Sequence, residues 1–164
     1  MTEIFDHREQ ARSLRRQLND HHVDIALLAQ EAATVFRAVG MAPQVRWLEL
    51  ERNGYSSAEA RSLHEVLAIR SDERLVVHVK SYRIQPGLTL EGVAFHHFFV
   101  EPIAELVRAQ MTVRGFGQRI GNRLRLDFVR GGPAPEGTFD PDVFSRILLG
   151  LRAVLHLQLA SVAQ

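Results

Sequence analysis

Apolar residues recur every three or four positions as far as about residue 70, then gather into short β-branched and aromatic runs, and return to helical spacing after Asp140. That order predicts an α+β domain: an N-terminal helical bundle of about four helices, a small β-sheet in the middle and a long C-terminal helix. With 164 residues, 46% of them apolar, the chain buries one core of ordinary size rather than two. A single domain over 1–164 is expected, divided into an outer helix (1–19), a helical part (20–70), a mixed strand and helix part (71–130) and a closing helix (140–162).

Residues 3 to 18 read as a first helix whose stripe of Ile4, Ala11, Leu14 and Leu18 is narrow, which suits an outer helix or a partner contact. Asn19 or Asp20 can cap a second helix running through Ile25, Leu28, Val35 and Phe36 to Gly40, apolar over most of its circumference and so expected at the centre. Pro43 suits the first position of a third helix that Asn53-Gly54 ends. Trp47 gives that helix a large apolar anchor, and Tyr55 can pack back on it with its hydroxyl exposed or paired. Ser56-Ser-Ala-Glu59 reads as a capping box opening a fourth helix that carries Ala60, Leu63, Val66 and Leu67 on one face.

Leu75–Ile84, rich in β-branched and aromatic residues and followed by Pro86-Gly87, reads as a strand and a turn. A further strand is expected at 92–100, a short helix at 102–110, and a half-buried strand where Leu124, Leu126 and Phe128 alternate with Arg123, Arg125 and Asp127. Gly131-Gly-Pro-Ala-Pro135 reads as a loop, and Asp140-Pro141 as the N-cap and first position of the closing helix.

The segment Trp47-Leu-Glu-Leu-Glu51-Arg-Asn53-Gly54-Tyr55 resembles the Trp-hydrophobic-x-x-Glu-x-Asn-Gly-Tyr signature of AbiTii domains, found in bacterial abortive-infection proteins. Ile103-Ala-Glu-Leu106 and Ile147–Leu155 are similar to a later segment and the closing helix of that family, so the likeness spans roughly residues 14 to 160. The family's Pro-x-Tyr-Arg motif soon after the Gly-Tyr is missing; Tyr82-Arg83 lies much later and is not preceded by proline, which reads as a divergent branch. The resemblance implies a part in phage defence as a sensing, regulatory or assembly component beside a separate effector. It marks Trp47, Glu51, Asn53, Gly54 and Tyr55 as signature residues and implies no active site.

Charge is distributed unevenly, although the formal net charge is only +1. Arg114, Arg119, Arg123 and Arg125, with Arg108 and Arg130, fall in a stretch opposed only by Asp127, and Arg123 and Arg125 share one face of their predicted strand. Such a face could take a phosphate-bearing ligand. Arg8, Arg12, Arg15 and Arg16 gather on part of the first helix, which also carries Glu3, Asp6 and Glu9. Only one of the 20 basic residues is lysine, a bias that inflates every apparent arginine patch. A solvated or internally paired face is the ordinary reading of both groups; nucleotide or nucleic-acid binding is the alternative.

Arg114-Gly-Phe-Gly117 begins like an RNA-recognition motif, but Gln118, Arg119 and Gly121 stand where apolar and aromatic residues belong. Gly115, Gly117 and Gly121 are spaced one residue too far for a dinucleotide fingerprint, so a turn between strands is the plainer meaning. Among the histidines, His21-His22 and His96-His97 carry metal-binding atoms, yet adjacent residues point apart on a helix or strand. A metal-dependent hydrolase or nuclease needs both pairs, or His64 or His78, to converge. No Gly-x-Ser-x-Gly elbow supports a serine nucleophile, and the absence of cysteine removes thiol chemistry. No basic leader followed by an apolar run precedes the first helix, and no stretch reads as a membrane span. The expectation is a cytoplasmic, non-enzymatic module without metal or cofactor, acting as a homo-oligomer or with a separate defence effector, nucleic acid or nucleotide remaining possible and membrane excluded.

Overall fold

The computed structural model describes residues 2–67, 73–111, 117–126 and 137–164, with the side chains of 2–5 and 117–120 outside that description. In chain order the helices are α1 (Thr2–Leu18), α2 (Ile25–Ala38), α3 (Ala42–Asn53), α4 (Ser57–Arg61), α5 (Leu63–Val66), α6 (Arg74–Arg83), α7 (Ile103–Met111) and α8 (Val143–Ala163). Five strands, β1 (Ile84–Thr89), β2 (Ala94–Phe98), β3 (Gly117–Ile120), β4 (Arg123–Leu126) and β5 (Gly137–Phe139), form an antiparallel sheet in the order β2-β1-β5-β4-β3. This is the expected α+β class.

The core is built around α8, which packs against α1, α6, α7 and α2. Its Val143, Phe144, Ile147, Leu148, Leu151, Val154, Leu155, Leu159, Val162 and Ala163 are buried, a spacing that gathers them on one broad face, while Leu149 and Leu157 on the other side are exposed. By length and hydropathy α8 is long and apolar enough to cross a membrane, contrary to the sequence reading, and its buried face lines the core of this fold. On α1 the narrow stripe is real, since Ala11, Leu14 and Leu18 are buried while most described neighbours stay exposed. It seats α1 on α8 and α2.

Several boundaries move. Asp24, not Asn19 or Asp20, caps α2, its carboxylate accepting the Ala26 N–H at 2.9 Å, while residues 19–24 form the turn from α1. Leu27 on α2 remains half exposed, and the central position belongs to α8. The Ser56–Glu59 capping box is present, but it opens only the short α4; the chain breaks at Ser62 before α5. Asp140 does not cap α8 directly. Its carboxylate accepts from the Asp142 N–H in a turn, and the helix begins at Val143.

The largest correction concerns Leu75–Ile84, expected as a strand. Residues 74–83 are helix α6, which buries Leu75, Val76, Val79, Tyr82 and Arg83 and leaves Val77 and Ser81 exposed. A strand would have alternated its faces and turned Val77 and Ser81 to the same side as Arg83. Packing on α8 makes the helical grouping the one that buries the apolar side chains, and tertiary burial outweighs the β-propensity of the valines.

Pro86-Gly87, expected as a turn, sits inside β1. Strand β5 pairs with β1 only from Gly87 to Thr89, so the missing N–H of Pro86 falls beyond the end of that ladder. The Phe95 ring lies across Gly87, where a Cβ would come within 2.4 Å of its Cζ. Phe95, His97, Phe99, Phe139 and Phe144 then form a chain of edge-to-face contacts that joins this side of the sheet to α8. The expected 131–135 loop lies outside the described residues; of the glycines expected to turn the chain between strands, Gly115 also lies outside them, Gly117 opens β3, and Gly121 with Asn122 turns β3 into β4.

Candidate functional site

Trp47 and Glu51 are one helical turn apart on α3, and Tyr55 follows after Gly54 ends the helix with φ +85°. Gly54 is doubly constrained. A Cβ there would meet the Val100 carbonyl at 3.0 Å, and that carbonyl accepts the Tyr55 N–H at 2.8 Å. The turn therefore aims Tyr55 back beneath α3, where its hydroxyl donates to Glu51 Oε1 at 2.6 Å. From the last turn of α6, Tyr82 donates to the same oxygen at 2.6 Å. The Trp47 indole N–H donates to the Tyr82 hydroxyl at 2.8 Å, with Glu51 Oε1 farther away at 3.2 Å.

Arg83 closes the cluster. Its Nη2 donates to Glu51 Oε2 and its Nε to Oε1, the bidentate fork that suits a guanidinium and a carboxylate. Its Nη1 donates to the carbonyls of Phe99 at 2.8 Å and Glu101 at 2.7 Å, just past β2. The guanidinium also lies 5.1 Å from the centre of the Tyr55 ring, a cation–π contact. Glu51 and Arg83 are both 0% exposed. Burial, and then the Glu51 charge, hold both tyrosine hydroxyls well above their usual ionisation range. For Arg83 burial opposes ionisation, but the adjacent carboxylate and phenols outweigh it and its pKa is raised, so it stays charged.

This cluster brings together signature residues Trp47, Glu51, Gly54 and Tyr55 with Tyr82 and Arg83, which lie some thirty positions later. Asn53 is exposed at the end of α3, outside the cluster. Tyr82-Arg83 thus reaches the signature through the fold rather than through sequence proximity. The sequence signal is an arginine near the end of an apolar run, which strand spacing would place on an alternating face rather than in the core. With no solvent access, the cluster can position α3, α6 and the end of β2, but it offers no atom to a ligand.

The expected surface site is less unified. Arg123 and Arg125 share the outer face of β4, as expected, but Arg123 is spent on Thr138, donating from Nε to Oγ1 at 2.7 Å and from Nη2 to the carbonyl at 2.9 Å. Arg125 is half-buried on the same face. Arg114 and the side chain of Arg119 lie outside the described residues. On α1, Glu9 takes both Arg12 at 3.5 Å and Arg16 at 3.4 Å. Arg15 turns toward α8, where its charge adds to burial in lowering the pKa of His156, and Arg8 is exposed.

The histidines diverge. His96 is exposed on the outer face of the sheet; His97 is half-buried on the other face, against Phe99 and Phe139, and burial lowers its pKa. His64 faces Glu73 at 3.5 Å, and His21-His22 sit in the exposed α1–α2 turn. Among the described residues no three potential metal ligands converge. An open groove of about 540 Å³ runs between α2 and α3 to the start of α7, bordered by Leu27, Gln30, Arg37, Glu49 and Arg52.

No known protein family, curated protein or solved structure matches this chain.

Proposed function

We propose that this protein is a component of a bacterial antiphage system of the abortive-infection type, acting in the cytoplasm as a non-catalytic binding, regulatory or assembly module. It works as a homo-oligomer or beside a separate effector. The observation that carries this reading is the closed hydrogen-bond network on Glu51. The polar atoms of Trp47, Glu51 and Tyr55 are consumed within the core, so the segment resembling the AbiTii signature acts as a folding determinant rather than as reaction chemistry. A module of this kind exerts its effect through its surface and its partners.

The test is phage plating on a sensitive bacterial host carrying the gene with its native neighbours. Plaque formation is expected to fall, and to recover when Arg83→Met destroys the core cluster, while Arg12→Ala, at a residue paired with Glu9, leaves protection intact. Unchanged plating over a broad phage panel, with the protein folded and abundant, would defeat the proposal.

A second reading, a phosphate-bearing ligand on the outer sheet face, is favoured by the half-buried Arg125 beside Arg123 and Thr138. It requires salt-sensitive affinity for oligonucleotide or nucleotide that Arg125→Ala weakens. Binding unchanged by that substitution leaves this reading without its residue.

A further inference from the structure

Strand β2 is an edge of the sheet, and among the described residues β1 is its one neighbouring strand. The Val93 carbonyl accepts from Thr89 N–H at 2.8 Å, and Phe99 N–H donates to the Arg83 carbonyl at 2.9 Å. In an antiparallel ladder both main-chain groups of a residue point to the same side, and successive residues alternate. Residues 93, 95, 97 and 99 therefore face β1, and the N–H and C=O of Ala94 and His96 face outward. At its far end the edge is closed, because Tyr55 bonds to the Val100 carbonyl and packs edge-on against the Phe98 ring at 5.2 Å. Among the described residues the open part is the segment 93–97.

Edge strands that stay single usually carry lysine, proline, a bulge or an inward charge. Strand β2 has none of these: its sequence is Ala-Phe-His-His-Phe, and its register with β1 is continuous from Ala94 to Phe98. Val93 is 63% exposed and Leu90 53% exposed, so the hairpin beside the open segment adds uncovered apolar surface. The opposite edge strand, β3, contains Arg119.

We infer that β2 is a dimerisation edge, pairing antiparallel with the same segment of a second copy to join two five-stranded sheets. Outward N–H and C=O groups specify a strand as occupant, not merely an apolar partner. Charge selects among strands: in a two-fold antiparallel pair each residue meets its own kind or a near neighbour, and like charges opposite one another are destabilising. Strand β2, which carries no lysine, arginine, aspartate or glutamate, satisfies this condition, whereas two copies of β3 would bring their Arg119 residues together. A two-fold contact also closes after two subunits, which gives a dimer rather than a fibre. The inference names a partner for the assembly reading but does not need the defence role.

The experiment is sedimentation equilibrium of the full 164-residue chain over a range of concentrations, with two variants. His96→Pro removes an outward N–H without touching the ladder to β1, and Ala94→Lys places a charge on the edge. Wild type is expected to form a dimer, and each variant to raise the dissociation constant by about tenfold or more, since each change counts twice in a two-fold contact. Circular dichroism of Ala94→Lys, whose position is exposed, is expected to match wild type and so separates lost pairing from lost folding. A wild-type monomer at the highest concentration, or a dimer that persists in both variants, overturns the inference. Neither result touches the plating assay, so the two proposals fail separately.

Discussion

Glu51 is a carboxylate sealed from water and surrounded by donors, so its environment is tolerable only while Arg83 and the two phenols remain. Arg83→Met is expected to destabilise the domain by about 3–5 kcal/mol in urea denaturation, because it leaves a buried charge without its partner. Replacing both groups, Glu51→Leu with Arg83→Met, should restore much of that loss; a double variant as unstable as the single one would mean that packing, not charge, dominates. The pH dependence has two limbs. Tyr55 and Tyr82 keep their protons in the folded state above the range where free tyrosine ionises, so the unfolded chain releases protons first. Stability should hold below about pH 10 and then fall by about 1.4 kcal/mol per pH unit for each phenol. His97, lowered by burial, and His156, lowered by burial and then by Arg15, act on the acid side. Their stabilising contribution is present above about pH 6.5 and is lost as pH falls through the usual imidazole range, where the unfolded chain takes up protons more readily. Melts from pH 5 to 11 test both limbs, and His97→Phe should flatten the acid one.

At the scale of elements, a missing side chain at Gly150 and a present one at Arg152 help to seat α8. Gly150 lets α8 approach α6 so closely that an added Cβ would lie 2.2 Å from Tyr82 Cβ. Gly150→Ala, though favourable for helix propensity, is therefore expected to cost about 1–3 kcal/mol and to disturb the Tyr82 hydroxyl, seen as a lower melting temperature and altered tryptophan fluorescence. Arg152 donates to the carbonyls of Leu18, Asp20 and Val23, tying α8 to the end of α1 and the turn that follows. Arg152→Ala should cost about 1–2 kcal/mol, with amide exchange accelerated first across residues 18–24. Much of the element list was legible because α1, α3, α7 and β4 carry unambiguous periodicity or punctuation. Helix α6 was not. Nearly every residue from Leu75 to Val79 is apolar, so either period fits, and only the position of α8 decides which residues are inside.

For the whole molecule, one core joins the helices and the inner face of the sheet, and α8, an apolar helix of membrane-spanning length, buries one face against α1, α6 and α7 and leaves Leu149 and Leu157 exposed. Exposed surface, rather than the core cluster, is then what remains for partners. The arginines read from the sequence are divided by the fold: Arg123 and Arg12 have internal partners, whereas Arg125 and Arg8 keep more of their charge for solvent. If the outer sheet face binds oligonucleotide, Arg125→Ala should weaken binding and reduce its salt dependence, whereas Arg12→Ala should change little; a titration at two ionic strengths checks both.

The sequence by itself determined the α+β order, the capped helix from Ala42 to Asn53, the Ser56–Glu59 capping box and the burial of Trp47. These rest on interactions within a few residues, which local spacing records. Tertiary structure alone decided that Tyr82-Arg83 would complete the cluster begun at Trp47, that His96 and His97 would serve opposite faces, and that β2 would lie at an edge. Each depends on which distant segments lie side by side. A buried charge finds its partner in space, and the positions from Glu51 to Arg83 carry no local mark of that encounter.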